Sequence, residues 1–255
     1  MPDSNNKPLI LITGANQGLG YATTKILAET GKYHVILACR SISKGEQAIA
    51  QLKAEGVADV SALTPVEINV ADDASVVGAK DVVEKKFGHL DVLVNCAGVN
   101  GVIPERKPGL RDNYRFVFEI NVFGLAVMTQ TFLPLLRASS FKDRRIVNVT
   151  TGLGQIGVTL AEDTPYKAAN LPAPEYRGSK AAVNMISAVD ARLLQPEGIH
   201  VVLVAPGHTA TAFNANNGPK TPAQGAANIA RAAVEGNAPE LIGKLQAEEL
   251  TEYGW

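Results

Sequence analysis

The sequence predicts an α/β chain built on one doubly wound parallel sheet with helices on both faces. Three observations predict it. Short β-branched runs alternate with longer amphipathic stretches along the 255 residues. The runs are continuously apolar, as strands covered on both faces are, rather than alternating in polarity. The unusual residues, glycines above all, cluster just after the runs, where the carboxyl ends of such strands form ligand crevices.

Taken in order, Leu9–Thr13 (LILIT) is the first strand and residues 18–30 form a helix. Residues 35–39 (VILAC) are the second strand, followed by a helix near 44–55. A weaker strand lies at 62–68. Residues 72–87 read as a helix, with Val76, Val77, Ala79, Val82 and Val83 supplying apolar positions. Residues 91–95 (DVLVN) are the fourth strand, and a long helix covers about 110–137. Two more buried strands lie at 145–150 (RIVNVT) and 200–205 (HVVLVA), with a helix near 175–194 between them. Repeated β-then-α order with right-handed crossovers leaves few other topologies.

Composition excludes several classes. There are 24 Lys plus Arg against 25 Asp plus Glu, so the net charge of −1 offers no general field to nucleic acid or an anionic membrane. With 46% apolar and 19% charged residues, the chain is an ordinary globule and not disordered. No linker divides it, which predicts a single domain over 1–255. Cys39 and Cys96 sit inside apolar runs and read as small core residues, not a disulfide framework. The polar start MPDSNNKP lacks an apolar signal region, and no run approaches the ~18 apolar residues of a membrane span, so a cytoplasmic protein is expected. His34, His89, His200 and His208 have no metal-ligand spacing, and no metal is expected. Glu162 and Asp163 read as a solvated surface pair.

Three motifs carry chemistry. The stretch TGANQGLG at 13–20 opens the first helix, with Gly14, Gly18 and Gly20 spaced G-x-x-x-G-x-G and Asn16, Gln17 and Leu19 between them. Glycine allows positive φ and close approach of a phosphate, and the helix N-terminus offers unpaired N–H groups. Arg40 directly follows the second strand, where an acidic residue would select a ribose 2′-hydroxyl; an arginine fork suits a 2′-phosphate. Tyr176 and Lys180 stand at i and i+4 on one helix face. An ammonium close to the phenol is expected to lower its pKa and ease proton exchange, which suits a general acid for a carbonyl oxygen. Tyr166 competes in the same region, but position 170 is Asn, so it has no partner lysine. Thr150 and Thr151 put hydroxyls at the carboxyl end of the fifth strand.

In this order, these residues resemble the short-chain dehydrogenase/reductase family over nearly the whole chain. The 13–20 stretch resembles its nucleotide loop. Asn95-Cys96-Ala97-Gly98 resembles the family's N-x-A-G motif, with Cys96 where asparagine is usual. Asn121, in Ile120-Asn121-Val122-Phe123-Gly124, matches the helix asparagine of the catalytic tetrad, and Tyr176 with Lys180 matches the Y-x-x-x-K pair. Pro206-Gly207, followed by Thr209 and Thr211, resembles the loop at the nicotinamide end. Two departures stand out. Thr151 occupies the catalytic serine position, keeping the hydroxyl but adding a methyl. Asn69, followed by Val70, replaces an aspartate that often contacts the adenine.

The resemblance is strongest to the carbonyl-reductase group. It implies a single-domain Rossmann-type fold, NADPH as cofactor and a small ketone, aldehyde or quinone as substrate. It implies that Thr151 polarises the carbonyl and Tyr176 donates the proton. Lys180 lowers the Tyr176 pKa and binds the ribose, and Asn121 holds a water linking Lys180 to solvent. A biosynthetic ketoreductase or cyclase-type variant, marked by Thr151, is the alternative enzyme; a non-catalytic NADP-binding regulator is the alternative of another class. Between Thr151 and Tyr176 lie 24 residues, more than the family commonly has. This insert, roughly 154–174, holds Pro165, Pro172 and Pro174 and is expected to be a loop or short helix walling the pocket. Lying over the helices through which many relatives dimerise, it favours a monomer; a homodimer is the alternative.

Overall fold

The computed structural model describes residues 7–101, 109–236, 240, 245–246 and 252–253. The core is a sheet of parallel strands: β1 (Leu9–Thr13), β2 (His34–Cys39), β3 (Leu63–Glu67), β4 (Val92–Asn95), β5 (Arg144–Val149) and β6 (Ile199–Val204). Two two-residue strands, β7 (Leu245–Gln246) and β8 (Glu252–Tyr253), extend it, giving the order β3-β2-β1-β4-β5-β6-β7-β8, with β8 alone antiparallel. The helices are α1 (Gly18–Glu29), α2 (Ile42–Ala54), α3 (Asp73–Phe87), α4 (Leu110–Phe118), α5 (Gly124–Ala138), α6 (Ile156–Leu160), α7 (Pro174–Leu194) and α8 (Pro222–Val234).

The unbroken apolar runs are explained by two cores. Ile10, Ile12, Val35, Leu37, Val92, Val94, Val147, Val202 and Val204 face one of them, which includes Leu27 of α1, Leu52 of α2 and Ile229 of α8. Leu9, Leu11, Ile36, Leu93, Ile146 and Val201 face the other, with Val76 of α3, Phe132 of α5 and Leu194 of α7. Successive side chains alternate between faces, and both faces are dry. Each fully buried Leu, Ile or Val contributes about 1.5–3 kcal/mol relative to exposure.

Three elements differ from the sequence expectation. The single helix expected over 110–137 is continuous over Leu110–Ala138 but contains a π-helical turn at Glu119–Phe123, which carries Asn121. That helix is long and apolar enough to cross a membrane, against the expectation that no segment is. Half of its most apolar window is buried, through residues such as Met128 and Phe132 against the sheet. Helix α8 has no counterpart in the sequence reading. Apart from Asn228 and Ile229, its buried face is glycine and alanine (Gly225, Ala226, Ala230, Ala232, Ala233), a weak periodic signal, because α1 and the loop after β6 pack so close. A Cβ on Gly225 would stand 3.0 Å from Leu19 and closer still to Thr209. The strands β7 and β8 are too short to leave a pattern.

The insert takes the expected form: a 3₁₀ turn at Gly152–Gly154, the one-turn helix α6, and turns up to α7. Ala173, in a left-handed conformation at φ 34°, reverses the chain before Pro174 starts α7. The insert leaves the C-terminal half of α7 uncovered. Met185, Val189 and Leu193, spaced i, i+4, i+8, are 68%, 50% and 66% exposed there.

Candidate active site

The carboxyl ends of β1, β4, β5 and β6 gather the residues named from sequence. Gly14 (φ +69°) and Gly18 (φ +56°) take left-handed conformations that other residues rarely adopt, and they shape the turn from β1 into α1. Gln17 precedes α1 without a side-chain cap, so no side chain closes that helix N-terminus. Asn16 and Leu19 are half-buried in the same turn and Gln17 is exposed. This bare backbone cradle fits the phosphates of a dinucleotide.

Arg40 is exposed after β2 and makes no hydrogen bond or ion pair among the described residues. Beside it, Ser41 leaves the N-terminus of α2 without a side-chain cap. The first N–H of α2, that of Ile42, donates to Glu67 Oε2 at 3.3 Å, so it is the unengaged guanidinium of Arg40 that fits a phosphate monoester. At the end of β3, Asn69 is turned into its own loop: its Oδ1 accepts from the Ala71 N–H, at 3.3 Å. The Val70 carbonyl abuts Gly124 of α5, where a Cβ would stand 2.7 Å away.

Beyond β4, the loop is held by Thr13, which the sequence reading did not single out. Thr13 Oγ accepts from the N–H groups of Cys96 (2.9 Å) and Ala97 (3.0 Å), seating Ala97 against Gly14. The signal was present, since Thr13 begins the glycine stretch. The Asn95 side chain is buried away from the cradle: Nδ2 donates to Asn148 Oδ1 at 2.9 Å and to Thr129 Oγ at 3.3 Å. Asn95 therefore braces β4 to β5 and α5.

The catalytic set is assembled by hydrogen bonds between elements distant in sequence. Lys180 Nζ donates to the Val149 carbonyl at 2.8 Å, tying α7 to the end of β5 two residues before Thr151. A Cβ at Gly98 would lie 3.2 Å from Asn121 Oδ1 and 3.9 Å from Lys180 Nζ, so the loop after β4 closes on both. Asn121 Nδ2 donates to Val99 O (2.8 Å) and to Ser179 Oγ (3.0 Å), and Ser179 donates to the Tyr176 carbonyl (2.8 Å). Both N–H donors of the Asn121 amide are thus engaged within the fold.

The two threonines that follow β5 divide their roles. Thr150 is buried, its hydroxyl donating to Asn184 Oδ1 at 2.6 Å. Thr151 is half-buried; its Oγ accepts from the Leu153 N–H at 3.3 Å, and its proton has no acceptor among the described residues. Thr151 is therefore the hydroxyl that remains able to donate.

Electrostatics correct one expectation. Burial is the cause acting on Tyr176, and it pushes the phenol well above its ordinary value rather than below. Burial also pulls Lys180 down to about 8, with a small opposing contribution from Cys96. The ammonium is committed to Val149, so removal from water dominates at the phenol. The result is an acid that keeps its proton at neutral pH. Cys96, in the same setting, is pushed up to about 12 by burial and stays a thiol.

The loop after β6 closes the far side. Thr209 Oγ donates to the carbonyls of Pro206 (3.4 Å) and Gly207 (3.3 Å), and Thr211 starts a 3₁₀ turn at Ala212–Asn214 beside Gly18. Both threonines are buried and hold the loop's shape. Phe213 stands edge-on to Tyr176, ring centroids 5.5 Å apart, and its carbonyl accepts from Asn100 Nδ2.

Comparisons with known proteins agree with this geometry. Residues 8–222 match the model of the short chain dehydrogenase family. The chain is 53% identical over 251 residues to short-chain dehydrogenase anuI of Penicillium roqueforti, covering 98% of both chains. It is 32% identical to short-chain dehydrogenase/reductase tropE of Talaromyces stipitatus, covering 94% of this chain and 95% of that one. Among solved structures, the NADPH-bound carbonyl reductase from chicken fatty liver superposes with a TM-score of 0.83 at 23% identity, over 98% of this chain and all of the other. With the glycine cradle, the Tyr176–Lys180 pair and Asn121 brought to one end of a parallel sheet, the chain belongs to the short-chain dehydrogenase/reductase family and is an oxidoreductase.

Proposed function

We propose that this enzyme uses NADPH to reduce the carbonyl of a small ketone, aldehyde or quinone to the alcohol. One observation carries the reading: the Lys180–Val149 hydrogen bond puts a protonated Tyr176 helix against the strand end where Thr151 keeps a free hydroxyl proton. A donor held ready, a neutral phenol and an uncapped phosphate cradle together serve reduction of a carbonyl better than they serve a binding function.

The preference for NADPH rests on Arg40, and the NADPH-bound fold relative is consistent with it. The cofactor, when bound, supplies the hydride. The chain's own part is to hold and polarise. Gly14 to Leu19 and the N-terminus of α1 receive the phosphates, and Arg40 receives the 2′-phosphate. Thr151 donates a hydrogen bond to the substrate oxygen, and Tyr176 delivers the proton as the oxygen becomes an alkoxide. Proton donation of this type typically contributes ~10²–10⁴ in rate. Lys180 fixes the geometry through Val149 and gives a positive charge near that oxygen. Asn121 positions the helix through Ser179.

NADPH consumption against a panel of aliphatic, aromatic and quinone carbonyls tests the reading. Turnover with at least one class is expected. Tight NADPH binding with no turnover across the panel overturns it in favour of a nucleotide-binding regulator.

A further inference from the structure

One side chain fastens the insert to the catalytic helix. Arg177, next to Tyr176, is buried, and no acidic side chain pairs with it among the described residues. Its Nε and Nη2 donate to the Leu171 carbonyl at 3.0 and 2.9 Å, Nη2 also donates to the Tyr166 carbonyl, and Nη1 reaches Thr159 Oγ at 3.0 Å. A charged fork withdrawn from water thus spends its donors on three points of one segment. A guanidinium does this because its donors lie in one rigid plane.

The fastened segment carries apolar groups toward solvent. Tyr166 is 38% exposed, and its ring stands edge-on to His208, centroids 6.2 Å apart. His208 directly follows Pro206-Gly207, and the same loop supplies Phe213, which covers Tyr176. Leu171, Ile156 and Leu160 are also exposed on the insert. The loop after β6 thus meets the phenol through Phe213 and the insert through His208, which joins Tyr166 to the same side of the site.

We propose that Arg177 is a specificity-determining positioning residue. By fixing the main chain of the insert it holds Tyr166 against His208, and the resulting wall selects carbonyl compounds that bear a flat apolar ring over short aliphatic ones. Rings gain edge-to-face attraction beyond the area they bury. The inference rests on the carbonyl-reduction reading of the same site.

The test uses the full chain, two carbonyls (propanal and 2-acetylnaphthalene) and three variants. Arg177→Met is expected to speed amide exchange across residues 155–173 but not 181–194. It raises KM for 2-acetylnaphthalene by roughly tenfold or more, the scale of lost apolar pocket contacts, and leaves kcat and the KM for propanal unchanged. Arg177→Lys, with donors but no fork, recovers only part. Tyr166→Ala keeps the carbonyl that Arg177 binds, so exchange stays as in wild type while KM for the naphthyl ketone rises; it decides the matter if Arg177→Met does not fold. Unchanged exchange in Arg177→Met, or an unchanged KM ratio in Tyr166→Ala, overturns the proposal. Calorimetric titration with 2-acetylnaphthalene separates the two readings. Binding that Tyr166→Ala weakens, without turnover, sustains the wall and overturns reduction; no binding to wild type overturns the wall.

Discussion

Asn121 and Val99 exchange two hydrogen bonds of 2.8 Å, the amide Nδ2 donating to the Val99 carbonyl and Oδ1 accepting from the Val99 N–H. The side chain acts as a strand partner would, docking the loop after β4 onto the π turn. Because the second Nδ2 hydrogen goes to Ser179, one amide fixes that loop and the catalytic helix together. The π turn makes this reach possible, since it displaces a residue from the regular α-helical register, and such turns concentrate at functional sites.

Tyr176→Phe removes only the phenolic oxygen. Reduction is expected to fall by about 10² or more, the lower range for a lost general acid, while NADPH affinity, measured by fluorescence titration, stays near wild type. Comparable turnover in the variant would assign the proton to another group.

Thr151→Ser is expected to remain active and Thr151→Val to lose most of its rate, because valine keeps the shape without the hydroxyl. Thr150→Val behaves differently. It strands the buried Asn184 carbonyl oxygen and is expected to cost about 1–3 kcal/mol of stability. Thermal melts and initial rates on both variants separate the roles, and full activity in Thr151→Val defeats the assignment of the polarising hydroxyl.

Arg40→Ala is expected to weaken NADPH binding by about 1.5–3 kcal/mol, the loss of a charge-assisted hydrogen bond, with NADH binding unaffected. Arg40→Asp reverses the preference. Equal NADPH dissociation constants for wild type and Arg40→Ala contradict the 2′-phosphate role.

The Lys180 shift gives a stability signature. The unfolded chain holds this proton up to the ordinary value of 10.5, but the folded chain only up to about 8. Between those values the unfolded state binds more protons, so stability rises with pH. The raised thiols of Cys96 and Cys39 oppose this above their ordinary value of 9, and the raised phenol of Tyr176 above 10, leaving a clean window from 8 to 9. Over the full Lys180 span the gain is about 3 kcal/mol. Chemical denaturation across pH 7.5–9 is expected to show a steeper rise for wild type than for Lys180→Met; parallel curves rule the shift out.

The exposed Met185–Val189–Leu193 stripe on α7 favours a homodimer. Light scattering after size exclusion is expected to give about twice the 26.9 kDa chain mass. Met185→Glu combined with Leu193→Glu is expected to return it to one chain, since like charges then face each other across a two-fold axis. A wild-type mass of 26.9 kDa at micromolar concentration excludes this interface.

By itself the sequence determined the six main strands, because LILIT and its counterparts bury both faces and so print as unbroken apolar runs. It also placed the candidate site residues, since glycines, Arg40, Thr151 and the Tyr176–Lys180 pair keep fixed places after strands or at one helical spacing. Tertiary structure alone decided what those residues do to one another. Helix α8 stayed hidden because its buried face, Ile229 and Asn228 apart, is alanine and glycine, which allow close approach but leave a weak apolar pattern. The bracing roles of Thr13, Asn95 and Ser179 and the clamp of Arg177 arise from contacts between segments far apart in the chain, which no local pattern records. The direction of the Tyr176 shift was set the same way: spacing on a helix brings a lysine near, but the sheet end that accepts its proton, and the depth of the burial around the phenol, exist only once the chain is folded.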